Sequence, residues 1–155
     1  MPRNRAVHAI LWGGLIAGLI DITYALGYSA ARGVPPTRVL QSVASGLLGS
    51  PAYQGGAGAA ALGLLLHFLL MLIIAAIFYF ASTRLRFLIE RPVLWGALYG
   101  FVAYWVMNLI VLPLSAFPSE VKFVPLTVIT SLIVHAFGIG VPIALASRRA
   151  QLPIS

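Results

Sequence analysis

Residues 11–28 read LWGGLIAGLIDITYALGY, an apolar run long enough to cross a bilayer with one carboxylic acid, Asp21, in its interior. On insertion scales an ionised Asp at a helix centre costs about 2.5–3.5 kcal/mol in hydrocarbon. A chain that keeps such a residue must place beside it a partner, a water-filled cavity or a proton. Gly14, Gly18, Asp21, Ala25 and Tyr28 recur at steps of four and three, so they share one helix face. Gly14 and Gly18 form a small-xxx-small pair that admits a second helix at close range. Asp21 is therefore expected to point at protein rather than at lipid.

The rest of the chain fits that setting. Of 155 residues, 61% are hydrophobic and 8% charged, and the mean hydropathy is +1.00. A soluble domain of this size cannot bury so much apolar surface, so a single integral membrane domain is expected. Four apolar spans are legible, at about 6–28, 57–81, 92–112 and 125–146, each near the ~20 residues a bilayer requires. The expected fold is all-α, a four-helix transmembrane bundle. Arg3 and Arg5 before the first run resemble a signal-peptide start, but Asp21 and the length of the run favour a retained helix.

The net charge of +7 comes from basic residues between the spans, which read as topology and anionic-lipid signals; no nucleic-acid partner is expected. Arg3, Arg5, Arg84, Arg86, Arg91, Arg148 and Arg149 fall on one side, and Arg32, Arg38 and Lys122 on the other. Seven against three places both termini in the cytoplasm, with a bacterial inner membrane as the expected location. The absence of cysteine removes thiolate ligands, disulfides and cysteine nucleophiles.

The connection after the first span is the longest of the three. Within it, Val39, Leu40, Val43, Leu47 and Leu48 recur at helical spacing, with Gln41, Ser42 and Ser45 opposite. Pro36 suits a helix start and Gly49 a stop. The segment is expected to be a short amphipathic helix lying as a surface element in the outer interface, or else dipping into the mouth of the bundle. A weak internal repeat is also present. Leu94-Trp95-Gly96 echoes Leu11-Trp12-Gly13, and Leu132-Ile133-Val134-His135 echoes Leu64-Leu65-Leu66-His67. Two helical hairpins of one orientation would give this pattern.

Each span carries one unusual polar residue: Asp21, His67, Asn108 and His135. At 1.5 Å rise per residue they lie about 18–24 Å from the cytoplasmic ends, in one layer in the outer half of the bilayer. Small residues beside them, including Gly96, Gly100 and Gly138 together with Gly14 and Gly18, mark packed helix faces. Pro142 cannot donate to the carbonyl of Gly138, which frees that group one turn below His135. Tyr24 and Tyr104 offer further hydroxyls.

Three readings of the layer stand side by side. In the first it is a proton, cation or small-solute site in a transport or channel-like protein, because a buried carboxyl and imidazole can exchange a proton at physiological pH. In the second it is a polar plug that fixes helix register. In the third, two imidazoles, a carboxylate and an amide hold a metal or haem, although no HxxxH spacing supports it. An enzyme has little to work with: there is no GxSxG, no phosphate loop and no paired carboxylates, and Ser131 and His135 one turn apart are a weak signal. No catalytic group, metal or cofactor is expected; the expected partners are the lipid bilayer and a second copy in a homodimer.

The stretch Arg32-Gly-Val-Pro-Pro-Thr-Arg-Val-Leu-Gln-Ser-Val-Ala-Ser-Gly-Leu-Leu-Gly49, followed by Gly63-Leu-Leu-Leu-His67-Phe68, resembles a group of small bacterial four-span membrane proteins of unknown function. Leu94-Trp95-Gly96 and Pro113-Leu114 add a fainter resemblance to YagU-like membrane proteins. Both imply the fold and a membrane location and bring no activity or site residue.

Overall fold

The computed structural model describes residues 3–152. Four helices are long and apolar enough to cross a membrane: α1 (Arg3–Ala30), α3 (Gly56–Arg84), α5 (Pro92–Leu114) and α6 (Pro125–Gln151). The short α2 (Pro36–Leu48) and a 3-10 turn (Ser50–Gln54) join α1 to α3, and the single turn α4 (Phe87–Glu90) joins α3 to α5. Proline opens α2, α5 and α6, where its missing N–H is one that a first helical turn leaves unpaired anyway. Gly49, at φ +66°, ends α2 in a backbone conformation that side-chain-bearing residues avoid.

The long helices present Leu, Ile, Val and Phe outwards along their length: Leu19, Leu65, Phe80, Leu94 and Phe137 are all more than half exposed. Exposed apolar area of that extent is what hydrocarbon covers. The chain is a multi-pass membrane protein. With an even number of spans the first and last described residues lie on one face, where Arg5 Nη1 reaches the Leu152 carbonyl at 3.3 Å.

Packing is organised by glycine. α1 sits between α3 and α6, and α5 packs on the far side of α6. A Cβ at Gly14 or Gly18 would meet Leu72, Met71 and Phe68 of α3 at about contact distance or closer. A Cβ at Gly96 or Gly100 would strike the Gly140 and His135 carbonyls of α6, and one at Gly138 would strike Ile20 of α1. With little hydrophobic drive between helices in lipid, close backbone approach of this kind supplies the packing energy. The two hairpins anticipated from the repeat, α1 with α3 and α5 with α6, are both formed. They are not equivalent: α1 lies along α6, whereas α5 reaches α3 through Tyr99, whose hydroxyl donates to the Ile74 carbonyl at 2.7 Å.

Two of the spans are not α-helical throughout. Met107–Val111 in α5 and Val134–Gly140 in α6 are π-turns, in which Leu112 N–H bonds the Met107 carbonyl and Val141 N–H the Ala136 carbonyl. Each π-turn ends two residues before a proline, Pro113 or Pro142. A proline ring crowds the carbonyl four residues back and brings no N–H to it, and widening the preceding turn relieves the clash. Asn108 and His135 both lie inside these widened turns.

Of the two placements expected for it, α2 takes the one at the mouth of the bundle, and its best-buried residues are not its apolar ones. Gln41, Ala44 and Ser45 are buried, while Leu47 and Leu48 are 61% and 43% exposed. The polar and small side is the one that packs: Gln41 Nε2 donates to the Gly56 carbonyl at 3.1 Å, and Gly63 of α3 lies against the Leu40 carbonyl. Ala116, in the α5–α6 connection, donates its N–H to the Gly46 carbonyl at 2.9 Å. The helix thus crosses the mouth of the bundle from α3 to the second hairpin, about 10 Å below the start of α3 as counted from Gly56 to Gly63. The pattern inverts the soluble rule because hydrocarbon takes apolar side chains freely and leaves polar ones to find partners within the protein.

Candidate functional site

Asp21 occupies the face of α1 that turns inward between α3 and α6. Its side chain is 16% exposed, and its two oxygens are each approached by an imidazole nitrogen: His67 Nδ1 of α3 at 4.0 Å from Oδ2, and His135 Nδ1 of α6 at 3.8 Å from Oδ1. These separations are too long for direct hydrogen bonds. They are short enough for strong Coulomb coupling, about 4 kcal/mol between unit charges 4 Å apart at an effective dielectric of 20. That is of the same order as the insertion cost of the carboxylate, so a charged imidazole beside Asp21 offsets part of that cost, less what its own desolvation adds.

Backbone carbonyls orient both rings. His67 Nε2 donates to the Gly18 carbonyl at 2.9 Å, tying α3 to α1 one turn from Asp21. His135 Nδ1 donates to the Ser131 carbonyl of its own helix at 3.0 Å, and its ring stands edge-on to Tyr104 of α5 at 5.2 Å between centroids. A carbonyl only accepts, so Nε2 of His67 carries a proton whatever the charge on the ring. The His67 Nδ1 that faces Asp21 then has a lone pair when the ring is neutral. A lone pair opposite a carboxylate is repulsive, and one proton, placed on either group, relieves it.

The helices that bring these groups together do so through their glycines. The Gly14 and Gly18 face lets α3 approach until His67 reaches the Gly18 carbonyl, and Gly100 lets α5 approach the His135 carbonyl within the π-turn. On the Arg32 side of Asp21 the α1–α6 seam is lined with hydroxyls. Tyr24 Oη lies 2.6 Å from Thr130 Oγ1 and 3.3 Å from Ser131 Oγ, and Tyr28 Oη lies 2.7 Å from Thr127 Oγ1. On the side toward the termini the interior is apolar: Ala17, Met71, Ala75, Ile139 and Ile143 form a buried cluster.

Three of the four layer residues, Asp21, His67 and His135, are thus gathered on three helices. Asn108 is apart from them. Its Nδ2 donates to the Tyr104 carbonyl of its own helix at 2.8 Å, and the side chain lines an open crevice of about 550 Å³ with Pro118, Glu120 and Phe123. Tyr104, whose ring stands against His135, links it to the cluster. Tyr28 was legible from sequence as sharing the Asp21 face, but Thr127 and Thr130 were not, because hydroxyls are common in membrane spans and only the α1–α6 register pairs these. His8, at the opposite end of α1, bonds the Asn4 carbonyl and is exposed.

Among the described residues no three His, Cys, Asp or Glu side chains are placed to hold a metal ion. Each histidine has one ring nitrogen engaged by a carbonyl.

No protein-family model, no curated protein and no solved structure matches this chain. The resemblance to small bacterial four-span proteins rests on its sequence segments alone.

Proposed function

We propose that the protein is a small transport or channel-like protein whose Asp21–His67–His135 cluster takes up and releases a proton, with a cation or small solute as cargo. The observation that supports this most is the position of Asp21 between two imidazole nitrogens, at 3.8 and 4.0 Å, inside a membrane span. Intramembrane ionisable groups are costly, and pairs of this kind are the usual elements of proton relays. The His67 geometry adds a chemical reason: the Nδ1 lone pair and the carboxylate together accommodate one proton that either can hold. Seven basic residues on the terminal face against three on the other support an orientation with both termini in the cytoplasm of a bacterial inner membrane.

A second reading has its own observation. The His67–Gly18 hydrogen bond joins two helices directly, as a structural plug would. One substitution separates the two. Asp21→Asn keeps shape and hydrogen-bonding capacity while removing the charge. A working site loses a pH-dependent flux or ion-binding signal in proteoliposomes when Asp21 becomes Asn. A plug keeps any such signal and changes stability alone, by about 1–2 kcal/mol or less.

A further inference from the structure

We propose that protons reach Asp21 along the seam between α1 and α6, from the face that carries α2 and Arg32, and that the other face is closed to them. The proposal rests on the proton-exchanging reading of the Asp21 cluster and adds its direction of access. Going outward from Asp21, Tyr24 and Tyr28 follow at i+3 and i+7 on one face of α1. The antiparallel α6 presents His135, Ser131 and Thr127 at successive turns, with Thr130 beside them.

The two columns meet in pairs. At the inner rung Tyr24 Oη contacts Thr130 Oγ1 at 2.6 Å and Ser131 Oγ at 3.3 Å. Thr130 donates its own proton to the Leu126 carbonyl at 2.8 Å, so Tyr24 is the donor in the first contact. At the outer rung Tyr28 Oη meets Thr127 Oγ1 at 2.7 Å. Arg32, exposed at the end of the seam, places Nη1 3.4 Å from the same Thr127 oxygen and its guanidinium 4.6 Å above the Tyr28 ring. Rungs one helical turn apart are about 5.4 Å apart, a gap that a short chain of waters spans.

The titratable and charged groups facing this route are few. They are Tyr24, Tyr28 and Arg32 on α1, His67 on α3, Tyr104 on α5 and His135 on α6. Toward the terminal face the next turn inward from Asp21 on α1 is Ala17, fully buried among Met71, Ala75, Ile139 and Ile143. The hydroxyl packed against that cluster, that of Tyr99, is turned away from Asp21 into a hydrogen bond with the Ile74 carbonyl at 2.7 Å, a turn further toward the terminal face than Met71. A close-packed, largely apolar layer on one side and paired hydroxyls on the other make the site one-sided in this conformation.

The test is a pH step on one side of sealed proteoliposomes holding uniformly oriented full-length protein. The infrared carboxyl band is the readout, assigned to Asp21 by its loss in Asp21→Asn. The band should respond to steps on the Arg32 face at least tenfold faster than to steps on the terminal face. Thr130→Val combined with Tyr24→Phe should slow that response at least tenfold while leaving the end-point titration in place. Tyr28→Phe, at the half-buried outer rung, should slow it in the same direction. Equal response from both faces, or unaltered rates in both variants, overturns the route while leaving the cluster's proton exchange standing. A wild-type protein with no titrating Asp21 band overturns the route and the functional reading together.

Discussion

His67 and His135 are held by backbone carbonyls through opposite ring nitrogens: Nε2 of His67 donates to Gly18, and Nδ1 of His135 donates to Ser131. Because a carbonyl cannot donate, the two rings must be different tautomers whenever both are neutral. Nitrogen NMR of imidazole-labelled protein should show a neutral His67 protonated at Nε2 and a neutral His135 protonated at Nδ1. His8, exposed at the terminal end, supplies the internal reference. Identical tautomers for His67 and His135 would contradict the geometry of the site.

Gly100 lies where α5 meets the π-turn of α6, and a Cβ there would occupy the position of the His135 carbonyl oxygen. Gly100→Ala should push the two helices apart and destabilise the protein by about 1–3 kcal/mol, the usual cost of overpacking. Gly27, also on a span, has nothing within 4 Å of an added Cβ, so Gly27→Ala should be neutral or slightly stabilising. Denaturation of both variants in detergent compares them directly. Equal stabilities would mean that α5 and α6 are not in the close contact described.

The inverted face of α2 gives a labelling prediction. The chain has no cysteine, so single cysteines report one position each. Spin labels at Leu47 and Leu48 should be accessible to oxygen dissolved in the hydrocarbon. Labels at Ala44 and Ser45, both fully buried, should be immobilised and inaccessible. The reverse pattern would mean that α2 turns Leu47 and Leu48, rather than Ala44 and Ser45, toward the bundle.

Near the terminal face, Gln151 Nε2 donates to Ser82 Oγ at 2.7 Å, and Ser82 in turn donates to the Tyr79 carbonyl at 2.7 Å. Both side chains are buried, so Ser82→Ala leaves the Gln151 amide without that acceptor. A loss of about 1–3 kcal/mol is expected. The double variant with Gln151→Leu should recover part of it, since an apolar pair of similar shape leaves no stranded donor. Thermal unfolding of the three variants in one detergent measures the recovery, and its absence would show that the bond does not join α3 to α6.

The sequence by itself determined the class and the number of elements. Four runs of apolar residues near bilayer length leave helices as the economical solution, because every backbone N–H and C=O in hydrocarbon must be satisfied within its own segment. It also singled out Asp21 and the two histidines, since ionisable groups are conspicuous in so apolar a chain. It did not separate Asn108 from them. Depth along a helix follows from counting residues, but the direction of a side chain around the helix depends on local turn geometry. The π-turns before Pro113 and Pro142 shift that direction for Asn108 and His135. Which helices touch was decided by tertiary structure alone: periodicity gives a face, and only the packed bundle says which partner the face meets. Gly18 thus meets His67, and Gly100 the His135 carbonyl. The same holds for α2, whose amphipathic spacing is plain in the sequence. Its orientation depends on whether water or lipid lies on the far side, and a one-dimensional pattern does not contain that information.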